Sequence, residues 1–516
     1  MCILSGSLLM ARKLKDANKK REMVENLLSQ LEEHCNTMLH NNCFSRALQA
    51  CLKDGDTPQR ARIWKMLQGK MKEISLDRHS HKLAIKLFLY GSKAVRETIA
   101  KIVTPDADIF FSKFGARVWE YLYCQNIPIS KQKEMLYSII LPKLLYVKFP
   151  NVQTCKTFIE LRDSLDIPAR TMLHEHLSKL IQRAIDKELL DKVPVHTLLK
   201  YFSISASEEQ LLQCMDRISE GAIHMSTTRD GVEALSRFYG YATAKQRKLL
   251  VRNLKGKVVE MANNSVDHYL LLRILSSTDD TKLLSSSIIK EIADSLDLVS
   301  SNKYGHKILL QMLSPMDRRY LNDFDRQFLQ FPSPTSMKDS DKREAELKSV
   351  LLSKIEVALR CQSDKRSSSK VFLEYLKATQ DSTVVKLLLE QIEEELNLMK
   401  EGNIFDDSVA HRSLSLLVRQ SKNYPLQTSA GIPFEIAFWN AMQPHVAKML
   451  STRGVFILLE LLNLQSDSDQ SKELRLNIQN EITDALLQES YAEIDRKGGK
   501  SVGLRLLEEK LPKSDE

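Results

Sequence analysis

The sequence predicts an all-α fold made of stacked helical repeats, and two observations support this. One helical pattern recurs about every 36 residues along the chain. The 516 residues also include only 16 glycines and 14 prolines, about half the average share of these helix-breaking residues. A fixed period of this length is typical of a solenoid, in which function lies on a long continuous face rather than in one cleft.

The recurring pattern is a short amphipathic segment, which we call the anchor helix. It occurs seven times, as CFSRALQACL, HSHKLAIKLFL, FGARVWEYLY, VPVHTLLKYF, DGVEALSRFY, VDHYLLLRIL and YGHKILLQML. Alignment of these segments stacks Phe44, Ser80, Gly115, Pro194, Gly231, Asp267 and Gly305, with gaps of 36, 35, 79, 37, 36 and 38 residues. Because the long gap is about two periods, a degenerate unit is expected near Gln153 to Phe158.

Composition along the chain predicts four parts. Residues 1–21 form a basic lead-in, and residues 22–330 carry the helical repeats. The segment FPSPTSMKDSDKRE, with its prolines, serines and alternating charge, predicts a linker at 331–344. Residues 345–516 contain further helical patterns, which we interpret as a C-terminal domain of related but drifted units.

Other features exclude several classes of protein. The eight cysteines are scattered without a CxxC pair, which argues against a zinc site or a disulfide framework and favours reduced thiols in a cytosolic or nuclear protein. The apolar start MCILSGSLLM is too short for a signal peptide or a membrane span. No phosphate loop, GxGxxG or GxSxG motif occurs, so neither an enzyme nor a cofactor or metal site is expected.

Each anchor helix has three positions, at i, i+1 and i+4, that lie on or beside one helix face. In the last anchor helix these are His306, Lys307 and Leu310, and the first two are expected to face outward. The earlier first and second positions are Ser45 and Arg46, His81 and Lys82, Ala116 and Arg117, Val195 and His196, Val232 and Glu233, and His268 and Tyr269. Arg, Lys, His and Tyr recur at the second position and can pair with phosphates or stack on bases.

A second basic feature is the stretch KQRKLLVRNLKGK, in which no acidic residue occurs. On a helix, Lys248, Arg252 and Lys255 fall on one side because they are four and three residues apart. The stretch is either a further contact to a nucleic-acid backbone or a solvated outer face. The net charge of +9 permits a polyanionic partner without demonstrating one.

The segments FGARVWEYLY and NKYGHKILLQML resemble Puf (Pumilio) repeats. The segments SLDRHSHKLAIKLFLYGSK, TTRDGVEALSRFYGYATAKQRK and SSTDDTKLLSSSIIKEIADSLDLVSSNKYGHKILLQMLSP are most similar, in order and spacing, to the divergent Puf-A or penguin-type branch. The tail segments TRGVFILLELL and GKSVGLRLLEEKL resemble the CPL domain of that branch. The resemblance covers the chain from about Met23 to Lys513.

The resemblance implies a Pumilio-type, armadillo- and HEAT-like superhelix, an L-shaped array of roughly eleven repeats. It also implies a protein of the nucleus and nucleolus that binds RNA or DNA with little sequence preference. We expect the chain to be a monomer. Its expected role is ribosome biogenesis and rRNA processing, or translational control. The CPL-like domain would either cap the array or bind a pre-ribosomal protein.

The residues favour recognition that does not depend on base sequence. Classical Puf proteins read one base per repeat through two or three side chains. Here only the first anchor helix carries a full base-reading set, Ser45, Arg46 and Gln49. Arg117 and Glu120 form part of a second set. The candidate nucleic-acid residues are Ser45, Arg46, Gln49, His81, Lys82, Lys113, Arg117, Glu120, Lys245, Lys248, Arg252, His268, Tyr269, Tyr304, His306 and Lys307.

An alternative interpretation is a HEAT- or armadillo-like scaffold that binds proteins and has no direct role with nucleic acid. The two interpretations differ in the face that the anchor helices present. Nucleic-acid binding predicts that Arg46, Lys82, Arg117, His268 and Lys307 share one basic face, whereas a protein scaffold predicts a groove lined by apolar or Asn side chains.

Overall fold

The computed structural model describes residues 17–125, 128–148, 155–361, 369–397, 404–407, 410–420, 426–464, 469–496 and 502–511. Within these ranges every regular element is a helix, apart from an isolated bridge between Gln427 and Pro433. The predicted all-α repeat fold is therefore confirmed. No helix in the described part of the chain is long and apolar enough to cross a membrane.

The chain divides into two compact units, Met1–Gln246 and Arg247–Glu516, and each is described by itself. The helices of unit 1 are α1 (Ala17–Met38), α2 (Asn42–Asp54), α3 (Thr57–Leu67), α4 (Met71–Leu76), α5 (His81–Tyr90), α6 (Lys93–Val103), α7 (Ala107–Phe110), α8 (Gly115–Tyr123), α9 (Ile129–Ile140), α10 (Lys143–Lys148), α11 (Phe158–Ser164), α12 (Ile167–Asp186), α13 (Val193–Ser205), α14 (Glu208–Glu220), α15 (Ala222–Ser226) and α16 (Arg229–Tyr241). Helix α17 (Ala244–Asn253) contains the division between the units.

The helices of unit 2 that follow are α18 (Val258–Ala262), α19 (His268–Ser277), α20 (Thr281–Leu284), α21 (Lys290–Asp294), α22 (Leu296–Ser301), α23 (Gly305–Leu313), α24 (Asp323–Leu329), α25 (Ser340–Cys361), α26 (Ser369–Thr379), α27 (Ser382–Asn397), α28 (Ala410–Gln420), α29 (Phe434–Met442), α30 (Val446–Leu450), α31 (Val455–Leu462), α32 (Asp469–Glu481), α33 (Asp484–Arg496) and α34 (Val502–Glu508). Residues 330–339, which include the first part of the predicted linker, are non-helical and lie within unit 2. The predicted domain limits and the L shape stay predictions.

All seven predicted anchor segments form helices: α2, α5, α8, α13, α16, α19 and α23. In unit 1, α2, α5, α8, α13 and α16 contact one another in succession. In unit 2 the succession is α19, α23, α26, α28, α31 and α34. The anchor helices thus form a continuous row within each unit, and in unit 2 the row extends into the C-terminal region.

Polar residues in the turns between helices determine where several helices begin. Asp56 accepts a hydrogen bond from the backbone N–H of Gln59, and the Gln59 side chain accepts one in return from the backbone of Asp56. Ser207 and Gln210 form the same capping box at the start of α14. Such reciprocal bonds satisfy backbone donors that the first turn of a helix leaves free.

The expected degenerate unit between α8 and α13 differs from a regular repeat. Residues 149–154, which include the start of the predicted segment, lie outside the described residues. Helix α11 follows, and its Phe158 ring stacks on Tyr201 of α13 with 4.3 Å between ring centroids. The anchor helices α8 and α13 nevertheless contact each other directly, because the Tyr123 and Thr197 hydroxyls are 3.3 Å apart.

Candidate nucleic-acid interface

Three basic side chains occupy the second position of consecutive anchor helices in unit 1. Arg46, Lys82 and Arg117 are all exposed, on α2, α5 and α8 respectively. Within the described residues none of the three forms an ion pair or a side-chain hydrogen bond. Lys113 is exposed in the turn that precedes α8. Because these three helices pack side by side, their cations form a row that is available to an anion.

The first position of the anchor helices faces inward, which corrects the expectation that it faces outward. Ser45 is 0% and His81 is 3% exposed. In unit 2, His268 is 0% exposed and His306 is half-buried. Close packing between successive repeat units leaves no room for a ligand at Ser45, His81 and His268.

The single complete base-reading set is used inside the protein. The Ser45 hydroxyl donates to the backbone carbonyl of His79 at 2.9 Å. The Gln49 side-chain amide donates to the same hydroxyl at 3.1 Å. Because these groups bond the second repeat unit and each other, Ser45 and Gln49 are not available to read a base edge in this arrangement.

Glu120, the third position of α8, joins two anchor helices. Its carboxylate accepts the backbone N–H of Val193 at 2.9 Å and lies 3.6 Å from the Nζ of Lys192. Lys192 provides no side-chain cap for α13, so the carboxylate of the neighbouring anchor helix takes that role. Glu120 is therefore occupied by a structural contact.

The row of available cations ends after α8. In α13 the second-position residue His196 is 1% exposed, and burial lowers its pKa. One turn later, Lys200 pairs with Asp230 at 2.9 Å and with Glu233 at 2.8 Å. Glu233, the second-position residue of α16, also pairs with Arg237 at 3.2 Å. These acids satisfy the neighbouring cations within the protein.

In unit 2 the second-position residues are engaged by other parts of the chain. Tyr269 is 8% exposed and lies against Phe328, with 5.1 Å between ring centroids. Lys307 is half-buried and forms an ion pair with the fully buried Asp325 at 2.8 Å. The basic face predicted for five residues is therefore corrected: Arg46, Lys82 and Arg117 are open, whereas His268 is buried and Lys307 is paired.

Two first-position histidines, His81 and His268, each connect one repeat to the next in the same way. The Nδ1 of His81 lies 3.0 Å from the Arg78 carbonyl oxygen, and its ring packs on Phe114. The Nδ1 of His268 lies 2.9 Å from the Asn264 carbonyl oxygen, and its ring packs on Tyr304 with 5.1 Å between centroids. Burial lowers the pKa of His81, and lowers the pKa of His268 to about 4. Burial also lowers the pKa of His306 to about 4.

Tyr304 is therefore half-buried against His268, and Lys303 lies over its ring at 4.7 Å. These histidines are neutral near pH 7 because their pKa values lie below their ordinary value. A neutral, buried imidazole adds no positive charge to the surface. These histidines therefore contribute to packing between neighbouring repeats.

The basic helix α17 presents three of its predicted residues to solvent. Lys245, Lys248 and Arg252 are exposed. Arg247, which the sequence groups with them, is 3% exposed and donates to the backbone carbonyl of Ser277 and to the Thr335 hydroxyl. The helix thus offers an exposed basic side, and Arg247 belongs to the interior.

Two further candidate residues, Lys86 and Tyr121, lie one turn beyond the second position, and they were not predicted from the sequence pattern. Lys86 follows Lys82 by four residues, is half-buried, and lies over the Tyr90 ring at 5.5 Å. Tyr121 follows Arg117 by four residues and makes an edge contact with Phe88 at 6.3 Å. The signal was present, because residues four apart share a helix face. The described residues contain no group of three or more His, Cys, Asp or Glu side chains placed to hold a metal ion.

Comparisons with known proteins agree with the predicted resemblance. The chain is 26% identical over 308 residues to Pumilio homolog 3 of Rattus norvegicus, which covers 59% of this chain and 47% of the relative. It is 22% identical over 495 residues to the Pumilio homology domain family member 6 of Schizosaccharomyces pombe, covering 89% and 74%. The chain thus spans about half the length of the mammalian relatives it matches. No protein-family model matches the chain.

The fold is that of a solved relative. The crystal structure of human Puf-A in complex with DNA matches with a TM-score of 0.79 at 21% identity, over 96% of this chain and 98% of that chain. A crystal structure of human Puf-A alone gives the same TM-score. The predicted resemblance is confirmed, whereas the assignment of a CPL domain stays a prediction. The chain is therefore related to the Puf-A and penguin-type divergent Pumilio-repeat proteins.

Proposed function

We propose that this chain binds RNA, and also DNA, chiefly through the phosphate backbone. The observation that carries the proposal is the row of Arg46, Lys82 and Arg117, which are exposed and, within the described residues, unpaired at the same position of three packed anchor helices. Exposed guanidinium and ammonium groups in a row match the regular negative charge of a nucleic-acid strand. The fold match to human Puf-A, which was crystallised with DNA, supports the proposal.

Weak dependence on base sequence follows from the third position of the anchor helices. Leu199, Leu272 and Leu310 are fully buried there, and Ile85 is half-buried. An aliphatic side chain cannot form a hydrogen bond with a base edge. Phosphate contacts position a strand but carry no sequence information directly. We therefore expect similar affinity for RNAs of different sequence.

A charge-matched pair of variants tests the proposed surface. The first variant carries Arg46→Gln, Lys82→Gln and Arg117→Gln. The control carries Lys93→Gln, Arg96→Gln and Lys101→Gln, which change three exposed residues of α6 and remove the same net charge. Binding of labelled single-stranded RNA is expected to weaken at least about tenfold more in the first variant than in the control. Equal weakening in both would reject the row as the binding surface.

The protein scaffold remains the competing outcome of this experiment. If the folded wild-type chain binds neither single-stranded nor duplex RNA at moderate salt, the nucleic-acid proposal fails. The row of anchor helices would then be better explained as a protein-binding face. Catalysis is not part of the proposal.

We further propose a role in nucleolar ribosome assembly, with the chain acting as a monomer alongside pre-ribosomal proteins. This proposal has the resemblance to Puf-A and penguin-type proteins as its support. A tagged chain is expected to concentrate in the nucleolus, and its depletion is expected to cause unprocessed rRNA precursors to accumulate. Uniform distribution in the cell together with normal precursor levels would contradict this role without affecting the binding proposal.

A further inference from the structure

Equivalent faces of the anchor helices are open in α5 and α8 of unit 1 and covered in α19 and α23 of unit 2. The face in question comprises the second position and the residue one turn later, and we call it the second-position face. In unit 1 it is exposed at Lys82 and Arg117 and half-buried at Tyr121. In unit 2 the equivalent residues of α19, Tyr269 and Arg273, are 8% and 2% exposed.

The element that covers this face in unit 2 is residues 322–336, which we call the cover segment. It begins with α24, which packs on α19. Phe324 makes an edge contact with Tyr269 at 5.5 Å between centroids, and Phe328 approaches the same ring at 5.1 Å. Asp325 takes the Nζ of Lys307, the second-position residue of the next anchor helix.

The non-helical part of the cover segment continues over α19. The Arg273 guanidinium donates to the backbone carbonyls of Leu329 and Pro332, at 3.2 and 2.6 Å, and to the Ser333 hydroxyl at 2.6 Å. Further along, the Ser336 hydroxyl donates to Asp279 at 2.6 Å. One continuous segment thus engages the second-position face of two successive anchor helices.

The chemistry of these contacts is that of a nucleic-acid ligand. A carboxylate forms an ion pair with the Lys307 ammonium, and carbonyl and hydroxyl oxygens accept hydrogen bonds from the Arg273 guanidinium. Aromatic rings lie against Tyr269. A strand would present a phosphate to Lys307 and Arg273 and a base to Tyr269. Both occupants need the same donors and the same tyrosine ring.

We propose that the cover segment is an internal occupant of a second nucleic-acid surface, formed in unit 2 by Tyr269, Arg273 and Lys307. The segment and a single-stranded nucleic acid exclude each other there. In the closed arrangement, the second-position face binds nucleic acid in unit 1 alone. This inference rests on the proposed function and adds its regulation.

The test opens the cover at its ion pair. Asp325→Asn removes the charge that holds Lys307, and Asp294→Asn, at an exposed residue of α21, is the control with the same change in net charge. Single-stranded RNA is expected to bind Asp325→Asn at least about threefold more tightly than the control, with a log–log salt slope steeper by about 0.7, as for one added phosphate contact. Adding Lys307→Gln restores the wild-type net charge and is expected to abolish the gain.

Several outcomes overturn the inference. Affinity of Asp325→Asn no higher than that of Asp294→Asn would do so, as would a gain that persists when Lys307→Gln is added. If Asp325→Asn lowers the thermal midpoint sharply, Phe324→Ser replaces it, because that ring is 49% exposed and lies outside the ion pair. Affinity of Phe324→Ser equal to wild type would then reject the cover. Failure of the wild-type chain to bind RNA at all would instead reject the proposed function.

Discussion

At the scale of single residues, the histidines at the first position make the stability of the protein depend on pH. His268 is fully buried, with Lys307 and Asp325 among the charges near it, and burial lowers its pKa to about 4. A histidine whose folded-state pKa is depressed stabilises the fold above its unfolded pKa, and this contribution is lost as pH falls toward the folded value. His81 and His306 are shifted in the same direction.

We therefore expect His268→Gln to reduce the sensitivity of the protein to acid. Between about pH 7.5 and about pH 5, the wild type should lose roughly 1–2 kcal/mol of stability through His268 alone, a loss absent from the variant. The difference in thermal midpoint between the two pH values measures this. The same difference in wild type and variant would show that His268 does not make stability depend on pH.

His40 provides a control of opposite sign. Hydrogen bonds to Asp77, and also to Glu73, raise the pKa of this exposed histidine. Its contribution is present below the unfolded pKa and is lost as pH rises through the folded pKa. His40→Gln should therefore lower stability only on the acidic side.

A second prediction at this scale concerns the base-reading set of α2. Ser45→Ala removes the donor to the His79 carbonyl and the acceptor for Gln49, so it should destabilise the protein by about 1 kcal/mol. It should leave the RNA base preference unchanged, because Ser45 is buried. The thermal midpoint and binding to RNAs that differ at one base measure the two effects. A change in base preference without a change in stability would show that Ser45 reads a base.

The sequence predicted the exposed cations but not the burial of their neighbours. Adjacent helix positions are separated by about 100°, so a small rotation of the helix decides which of two polar residues faces solvent. His81 and Lys82 are equally plausible as surface residues in the sequence. The ring of Phe114, which belongs to the next repeat, packs against His81 and determines that His81 is the one that turns inward.

At the scale of elements, close packing explains the residue type at the start of the anchor helices. A Cβ atom at Gly231 would lie 2.0 Å from the Met225 carbonyl oxygen, and one at Gly305 would lie 2.3 Å from that of Val299. In both cases the carbonyl lies six residues earlier in the chain. At the equivalent place in the second repeat, which lies in unit 1, the Ser80 hydroxyl donates to the Ile74 carbonyl, also six residues earlier, at 3.5 Å.

We expect Gly231→Ala to destabilise unit 1 by about 1–3 kcal/mol, since the carbonyl or the helix must move. Gly69→Ala is the control, because a Cβ at Gly69 meets no atom within 4 Å. It should be neutral or slightly stabilising. The thermal midpoints of the two variants measure the contrast, and equal midpoints would show that the close approach does not constrain the helix start.

An element can be predicted from the sequence when the residues that fix it are close together in the chain. Helix starts such as Ser207 with Gln210 depend on residues three apart, so they are determined by local sequence. The cover segment appeared in the sequence as part of a repeat followed by a linker. Its position depends on Arg273 and Lys307, which are distant in the chain, and no local pattern indicates those contacts.

At the scale of the whole molecule, the 36-residue period predicted the row of anchor helices, because each repeat buries its apolar face against the next. The proposed function depends on the same stacking. Stacking places Arg46, Lys82 and Arg117 in register, so a basic residue that recurs in the sequence becomes one basic row in space.

The salt dependence of RNA binding tests this claim most directly. We would measure the affinity of the wild type and of the triple Gln variant of Arg46, Lys82 and Arg117 for several single-stranded RNA sequences across a salt series. Backbone recognition by this row predicts similar wild-type affinities for all sequences and a log–log salt slope that is lower by about 2 in the variant, as three lost phosphate contacts require. An unchanged slope in the variant, or tight binding to one sequence alone, would contradict backbone recognition by this row.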